Sequence, residues 1–284
     1  MLLDRPFTLN DLRAARTSGK HVSMLTCYDY TTARHLEMAG VNILLVGDSA
    51  ANVILGHPST LPISLNFLIE LTAAVKRGAP NCLVMGDMPF GSYHASDAQA
   101  IDNVSRMVKE THCDAVKIEA SSHHLNATEK LAGAGVAVVV HLGLRPQTVG
   151  LMGGYKFQGR TAREARALVD EARRFAGAGA AAILLEAVPP EVSQRLVETV
   201  EVPVIGCGGG PACQAHVVVL QDLLRQTSRQ PKFVPQVELR PTLIETVQQY
   251  VNLIESGAYP SMEHCYAMPE AERARFVNGT TASR

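Results

Sequence analysis

The chain has 284 residues, 46% of them hydrophobic and 19% charged, with a formal net charge of -1. That is long and apolar enough for a large buried core, in the globular class. No Lys/Arg block offers a footprint for nucleic acid or an anionic membrane, and no apolar stretch nears the roughly 20 residues of a bilayer span, so small molecules are the expected partners.

Thr8, followed by Leu9-Asn10-Asp11-Leu12-Arg13, reads as a capped helix placed to cover the bottom of a barrel. From there short apolar runs alternate with helical stretches: 22–26, 41–46, 82–85, 115–118, 136–140, 181–185, 202–205 and a weaker eighth at 232–234. Apolar on both faces, they read as parallel strands covered by helices. Residues 96–111 and 161–177 have the amphipathic pattern and length of crossover helices. The order predicts an α/β chain forming a (β/α)8 TIM barrel over residues 1–268, with an open doubly wound sheet as the alternative.

Residues 241–256 read as a last amphipathic helix with Pro241 in its first turn, and 269–284 as a polar, disordered tail. The start, Met1-Leu2-Leu3-Asp4-Arg5-Pro6, lacks the charged-then-apolar order of a secretory signal, so the expected compartment is the cytoplasm. Six scattered cysteines without a C-x-x-C pair fit reduced thiols better than disulfides or a zinc site.

Three of the apolar runs end in carboxylates: Asp48 after Gly47, Asp87 after Gly86, and Glu119 after Ile118. In a parallel sheet these gather at the carboxyl edge, and three hard oxygen donors converging there suggest a divalent cation such as Mg2+. The plainer alternative makes each Asp a helix N-cap. Lys117 and Glu119, two apart, share a face, expected to be the lumen, because a Lys toward the helix layer would be buried unpaired; a structural ion pair is the other reading. His141 and Glu186 close the next two runs. His141 is open to a purely structural role, while Glu186, desolvated at the end of an apolar strand, is the candidate base. Residues 153–160 are glycine-rich and read as a mobile loop over the mouth, and Gly206 with Gly208-Gly209-Gly210 reads as tight turns or an anion nest. No G-x-G-x-x-G dinucleotide fingerprint is present.

Taken in order, Tyr28-Asp29-Tyr30, Val46-Gly47-Asp48-Ser49, Gly56-His57-Pro58-Ser59-Thr60-Leu61-Pro62, Asp87-Met88-Pro89-Phe90, Val116-Lys117-Ile118-Glu119, His141-Leu142-Gly143-Leu144 and Gly153-Gly154-Tyr155-Lys156-Phe157-Gln158-Gly159-Arg160 resemble the 3-methyl-2-oxobutanoate (ketopantoate) hydroxymethyltransferase family. The likeness runs from about residue 26 to 260. It implies a (β/α)8 barrel that moves a one-carbon unit from 5,10-methylenetetrahydrofolate to 3-methyl-2-oxobutanoate on the way to pantothenate. It further implies Asp48, Asp87 and Glu119 as Mg2+ positions, Asp48, Ser49, Asp87 and Lys117 as oxo-acid contacts, His141 at the site, Glu186 as proton acceptor, and a homo-oligomer of decamer type. A divergent paralogue doing lyase-type C–C chemistry on another 2-oxo acid, and a barrel that only binds a metabolite, are the competing readings.

The chain departs from the family pattern at Pro58, where Asp is usual, at Ala120-Ser121 in place of a Gly pair, and at Arg145 in place of Thr. It also departs at Gly206-Cys207-Gly208-Gly209-Gly210, Cys213-Gln214-Ala215-His216 and Gln221-Asp222, where G-I-G-A-G, C-D-G-Q and H-D are usual. The expectation is an intact metal and oxo-acid site with altered contacts in the stretch after strand seven.

Overall fold

A computed structural model describes residues 5–228 and 230–278. Eight strands close into an all-parallel barrel in sequence order: β1 (Val22–Thr26), β2 (Ile43–Val46), β3 (Leu83–Asp87), β4 (Ala115–Glu119), β5 (Val138–Gly143), β6 (Ala182–Glu186), β7 (Val204–Cys207) and β8 (Ala215–Val218). The helices are α1 (Leu9–Ser18), α2 (Tyr30–Met38), α3 (Ala50–Val53), α4 (Leu65–Gly78), α5 (Asp97–Thr111), α6 (Leu125–Gly133), α7 (Val149–Met152), α8 (Ala162–Gly177), α9 (Pro190–Thr199), α10 (Leu220–Leu223), α11 (Leu243–Glu255) and α12 (Glu270–Asn278). The barrel is the one expected, and the doubly wound sheet is excluded because β8 pairs with β1, Val22 opposite Ala215.

Two apolar clusters follow from the period-two alternation of strand side chains. The larger lies between strands and helices, with Val116, Ile118, Val140 and Ile183 among its members. The smaller fills the lower lumen with Met24, Ile43, Leu45, Met85, Ala115, Val139, Leu184 and Ile205, and Leu12 and Ala15 of α1 join it from below. α1 therefore plugs the floor, as its sequence predicts, with Thr8 and Asp11 forming a capping box. Helix α8 shows the same logic on the outside: Ala165, Val169, Ala172 and Phe175 make one buried stripe, and Thr161 caps it by accepting from Glu164 N at 3.3 Å.

Three expectations need correction. The eighth strand is Ala215–Val218, not 232–234. β8 carries His216 in its second position, so it does not read as an apolar run, whereas 232–234 is a turn whose Phe233 and Val234 are buried against the body of the protein. Pro241 stands before the cap Thr242 rather than inside the first turn of α11. The tail is a helix as far as Asn278: Phe276 is buried, Glu272 Oε2 accepts from Ala162 N at 2.8 Å, and Arg273 pairs with Glu191 at 2.6 Å. Residues 279–284 of that expected tail lie outside the described residues.

The β8–β1 seam is fastened from outside by α11. The buried Tyr250 hydroxyl lies 2.8 Å from His216 O and 3.0 Å from Met24 O, one carbonyl on each side of the seam. Tyr250→Phe removes that donor while keeping the ring, and should destabilise the fold by about 1–2 kcal/mol, read as a lower urea midpoint at unchanged slope; an unchanged midpoint would mean that the hydroxyl contributes nothing to closure.

Candidate active site

The same alternation that fills the lower lumen with hydrocarbon makes its upper end polar. Continuing inward positions upward gives Asp87 after Leu83 and Met85, Lys117 and Glu119 after Ala115, His141 after Val139, Glu186 after Leu184, and Cys207 after Ile205. All of these line one cavity of about 980 Å3 at the carboxyl ends of the strands, together with Asp48 and Ser49. Every site residue read from the sequence therefore meets at this mouth. Tyr155, Lys156, Phe157 and Arg160 of the glycine-rich 153–160 loop, and Lys232 and Phe233, form its outer wall.

Lys117 is the hub of the ionic contacts. Its Nζ lies 2.8 Å from Asp87 Oδ1 and 3.4 Å from His141 Nδ1. An ammonium only donates, so Nδ1 of His141 accepts and its proton sits on Nε2, which lies 3.1 Å from Glu186 Oε2 without making a hydrogen bond to it. Burial, reinforced by Lys117, holds the His141 imidazole well below its ordinary range, so it is neutral. Burial works against the Lys117 charge, but Asp87, Asp48 and Glu119 outweigh it and raise the ammonium above its usual range. Burial likewise raises Asp87 and Glu119, with Lys117 opposing. Glu186 is pushed up by burial to about 7, again against Lys117.

Neither Asp serves as a helix cap. Asp87 Oδ2 accepts from the Asp48 backbone N–H at 3.0 Å, and the Asp48 carboxylate accepts from a side chain that sequence reasoning missed, Gln147, at 2.9 Å. Gln147, buried in the turn after β5, also donates through Nε2 to Met88 O at 3.0 Å and through its backbone N–H to Glu119 Oε2 at 2.9 Å. Its Oε1 accepts from the Tyr93 hydroxyl at 2.7 Å, and that hydroxyl accepts in turn from Glu119 N at 3.1 Å. The available signal was position: Gln147 follows Pro146 just beyond the strand that carries His141. Ser49 Oγ is 2.8 Å from Tyr28 OH.

Among the described residues no group of three or more His, Cys, Asp or Glu side chains is drawn together tightly enough to hold a metal ion. The expected trio Asp48, Asp87 and Glu119 thus shares a cavity without forming a closed shell. The donor chemistry still suits a divalent cation. Glu119 Oε1 is buried with no hydrogen-bond partner, and Asp87 Oδ1 is reached by Lys117. Four carboxyl groups face one ammonium in a desolvated mouth, an excess of negative charge that a hard cation would neutralise. As for the glycines of 206–210, a Cβ on Gly208 would fall 2.7 Å from the Phe233 ring, so close packing accounts for that position.

A closed parallel barrel with acids, a lysine and a histidine converging at the carboxyl ends of its strands is an enzyme scaffold with its site in the usual place. Among solved structures the fold is matched by phosphoenolpyruvate phosphomutase from Streptomyces platensis subsp. rosaceus, TM-score 0.59 over 96% of both chains at 15% identity, a likeness of fold alone. The family profile of ketopantoate hydroxymethyltransferase matches residues 6–262. 3-Methyl-2-oxobutanoate hydroxymethyltransferase of Geobacillus kaustophilus is 40% identical over 93% of this chain and 95% of its own, and that of Oleidesulfovibrio alaskensis 41% over 98% and 97%. The chain belongs to the ketopantoate hydroxymethyltransferase family and is a transferase.

The raised Glu186 carboxyl has a consequence for stability. Below its ordinary value of 4.5 it is protonated in both folded and unfolded chains and its stabilising contribution is complete. As pH rises toward 7 the unfolded chain ionises while the folded one resists, so folding stability is lost across that window. Glu186→Gln cannot ionise. In metal-free buffer its stability relative to wild type should therefore improve by roughly 2–3 kcal/mol between pH 4.5 and pH 8, measured by urea unfolding at both; a pH-independent difference would show that the carboxyl is not shifted.

Proposed function

We propose that the protein transfers a hydroxymethyl group from 5,10-methylenetetrahydrofolate to 3-methyl-2-oxobutanoate, giving ketopantoate for pantothenate biosynthesis, with Mg2+ as its metal. The observation that carries the reading is the Lys117–His141–Glu186 chain set against Asp48, Asp87 and Glu119 in one buried mouth, in a chain of this family. The cavity supports a second, larger substrate. About 980 Å3 far exceeds a five-carbon oxo acid, and its outer wall offers flat surfaces: Phe157 stacks on Tyr266 with centroids 5.1 Å apart, and Arg160 lies over the Phe157 ring. Its partners are these small molecules and other copies of the same chain, in a homo-oligomer of decamer type in the cytoplasm, with no nucleic acid or membrane involved.

Asp48, Asp87 and Glu119 would hold Mg2+, and a bound Mg2+ would polarise the keto and carboxylate oxygens of the oxo acid so that its C3 proton becomes acidic. Ser49 and Lys117 lie beside the same part of the cavity and orient the oxo acid; the Lys117 ammonium stabilises the negative charge that develops on the keto oxygen. Glu186 takes the C3 proton. His141 Nε2 lies 3.1 Å from its Oε2, and a carboxyl raised to about 7 is well matched to a base working near neutrality. His141, kept neutral by burial, steadies Glu186 and conveys the Lys117 charge toward it. The C3 carbanion then bonds to the methylene carbon of the folate as one of that carbon's two C–N bonds breaks, and water replaces the other nitrogen, so that the hydroxymethyl group stays on C3 and tetrahydrofolate departs carrying the C3 proton and one proton of the water.

Purified protein supplied with Mg2+, 5,10-methylenetetrahydrofolate and 3-methyl-2-oxobutanoate should form ketopantoate; no product, with turnover of another oxo acid, would replace this reading by lyase-type chemistry. Glu186→Gln should lower kcat by on the order of 10³-fold while Mg2+ and oxo-acid binding stay within a few fold, and Asp87→Ala should weaken binding itself. Turnover at the wild-type rate in Glu186→Gln would remove Glu186 from the role of base.

A further inference from the structure

We propose that Gln147 is a positioning residue that aims the free oxygens of Asp48 and Glu119 into the cavity and so sets the affinity of the site for Mg2+; the inference rests on the metal-dependent reading above. The need for such a device comes from the phase of β2. Ile43 and Leu45 face the lumen, so alternation turns position 47 inward and position 48 away from it. Asp48 reaches the mouth only because the chain bends after Gly47, and among the described residues the hydrogen bond made by its carboxylate is the one from Gln147 Nε2. Asp87 and Glu119 lie in register on the inner face and need no such help to arrive, but Glu119 too has one oxygen fixed from the same residue, Oε2 on the Gln147 N–H.

Each acid has one oxygen held by an N–H, Asp48 Oδ2 and Glu119 Oε2 by Gln147, Asp87 Oδ2 by the Asp48 backbone. Asp87 Oδ1 is already paired with Lys117 at 2.8 Å, so the oxygens that Gln147 leaves for another partner are those of Asp48 and Glu119. Glu119 Oε1 is indeed buried with no partner. The orientation of the Gln147 amide is not ambiguous. Nε2 faces a carboxylate and the Met88 carbonyl, which only accept, and Oε1 faces the Tyr93 hydroxyl, which has a proton to give; the flipped amide would set three acceptors against one another. A neutral amide is also the group that this place requires, because a fifth carboxyl would add to the repulsion and an ammonium would compete with the cation. Gln147 touches no reacting atom in this scheme; it acts through Asp48 and Glu119.

The test uses Gln147→Met, which keeps the length of the side chain and removes both amide donors, with Tyr93→Phe as a second variant that leaves Gln147 in place but takes away the hydroxyl fixing its Oε1. Isothermal titration of MgCl2 into each protein, with and without 3-methyl-2-oxobutanoate, gives the dissociation constant directly, and thermal melts in EDTA report folding. For Gln147→Met the Mg2+ dissociation constant should rise roughly 10- to 100-fold, as for other groups that orient metal ligands, with a cooperative melt retained. Exchange of the C3 proton into D2O at saturating Mg2+ should stay within about threefold of wild type, because the base is untouched. For Tyr93→Phe the rise should be smaller and in the same direction. Wild-type protein that binds Mg2+ beside a Gln147→Met variant that binds it equally well overturns the role of Gln147. If Gln147→Met does not fold, an unchanged constant in Tyr93→Phe overturns it instead. Wild-type protein that binds no Mg2+ in either condition defeats the metal-dependent reading itself, and the inference with it.

Discussion

One imbalance governs the upper half of the barrel: Asp48, Asp87, Glu119 and Glu186 share a buried mouth with a single ammonium, that of Lys117. Desolvated like charges cannot all ionise without compensation, and the compensation seen is graded. Asp87 takes the ammonium at 2.8 Å, Asp48 and Glu119 take N–H donors, and Glu186 has only the neutral His141 ring beside it, 3.1 Å away. Burial raises Asp87, Glu119 and Glu186 alike, so what sets Glu186 apart is geometry: it stands beyond the ammonium and the Gln147 donors, and the three tethered acids are suited to hold a cation. The two kinds of work proposed for the site, cation binding and proton transfer, would follow from how one positive charge is shared.

The scaffold makes this arrangement by letting one periodicity serve two environments. Inward positions of β3, β4 and β6 run from hydrocarbon at the floor to charge at the mouth within five residues each, so the packed lower layers anchor the strands whose upper ends carry the acids. Gly143, at the end of β5 with φ +87, belongs to the same design: a Cβ there would fall 2.3 Å from Glu186 O, so only glycine lets β5 lie against the strand that presents Glu186. Rigidity below and charge above are connected by continuous backbone, as a preorganised site requires.

What was legible in the sequence is what this periodicity writes there. Apolar runs ending in Asp, Glu or His announce strands and their polar ends together, and seven of the strands and all of the rim groups named from them meet in space. β8 was illegible because His216 interrupts its apolar character while facing outward, its ring 5.9 Å from that of Tyr259, and because Phe233 in a nearby turn is buried for reasons unrelated to a strand. α12 was missed because a single residue, Phe276, anchors it, with the rest of its hold coming from Glu272 and Arg273 reaching partners more than 80 residues away. Gln147 escaped for another reason: a neutral side chain in a turn has no periodic signature, and its value lies in what it touches.

The departures from the family pattern can now be located relative to that network. Arg145, which replaces Thr, donates from Nη1 to the carbonyl of Ala120, which replaces Gly, so two differences that look independent in the sequence are one local exchange of contacts. Gln214 is spent on the barrel itself, its Oε1 accepting from Val204 N at 2.9 Å, and His216 is buried on the outer side of β8. None of these touches Asp48, Asp87, Glu119 or Lys117. Pro58 and Cys207 do line the cavity, and Cys207 stands opposite Glu186 in the β6–β7 register. Burial holds the Cys207 thiol well above its ordinary range, so it faces Glu186 as an uncharged, weakly polar wall rather than a competing nucleophile. The acids and their donors form one connected unit in which loss of a member leaves a buried charge unpaired, whereas walls at the periphery exchange at smaller cost.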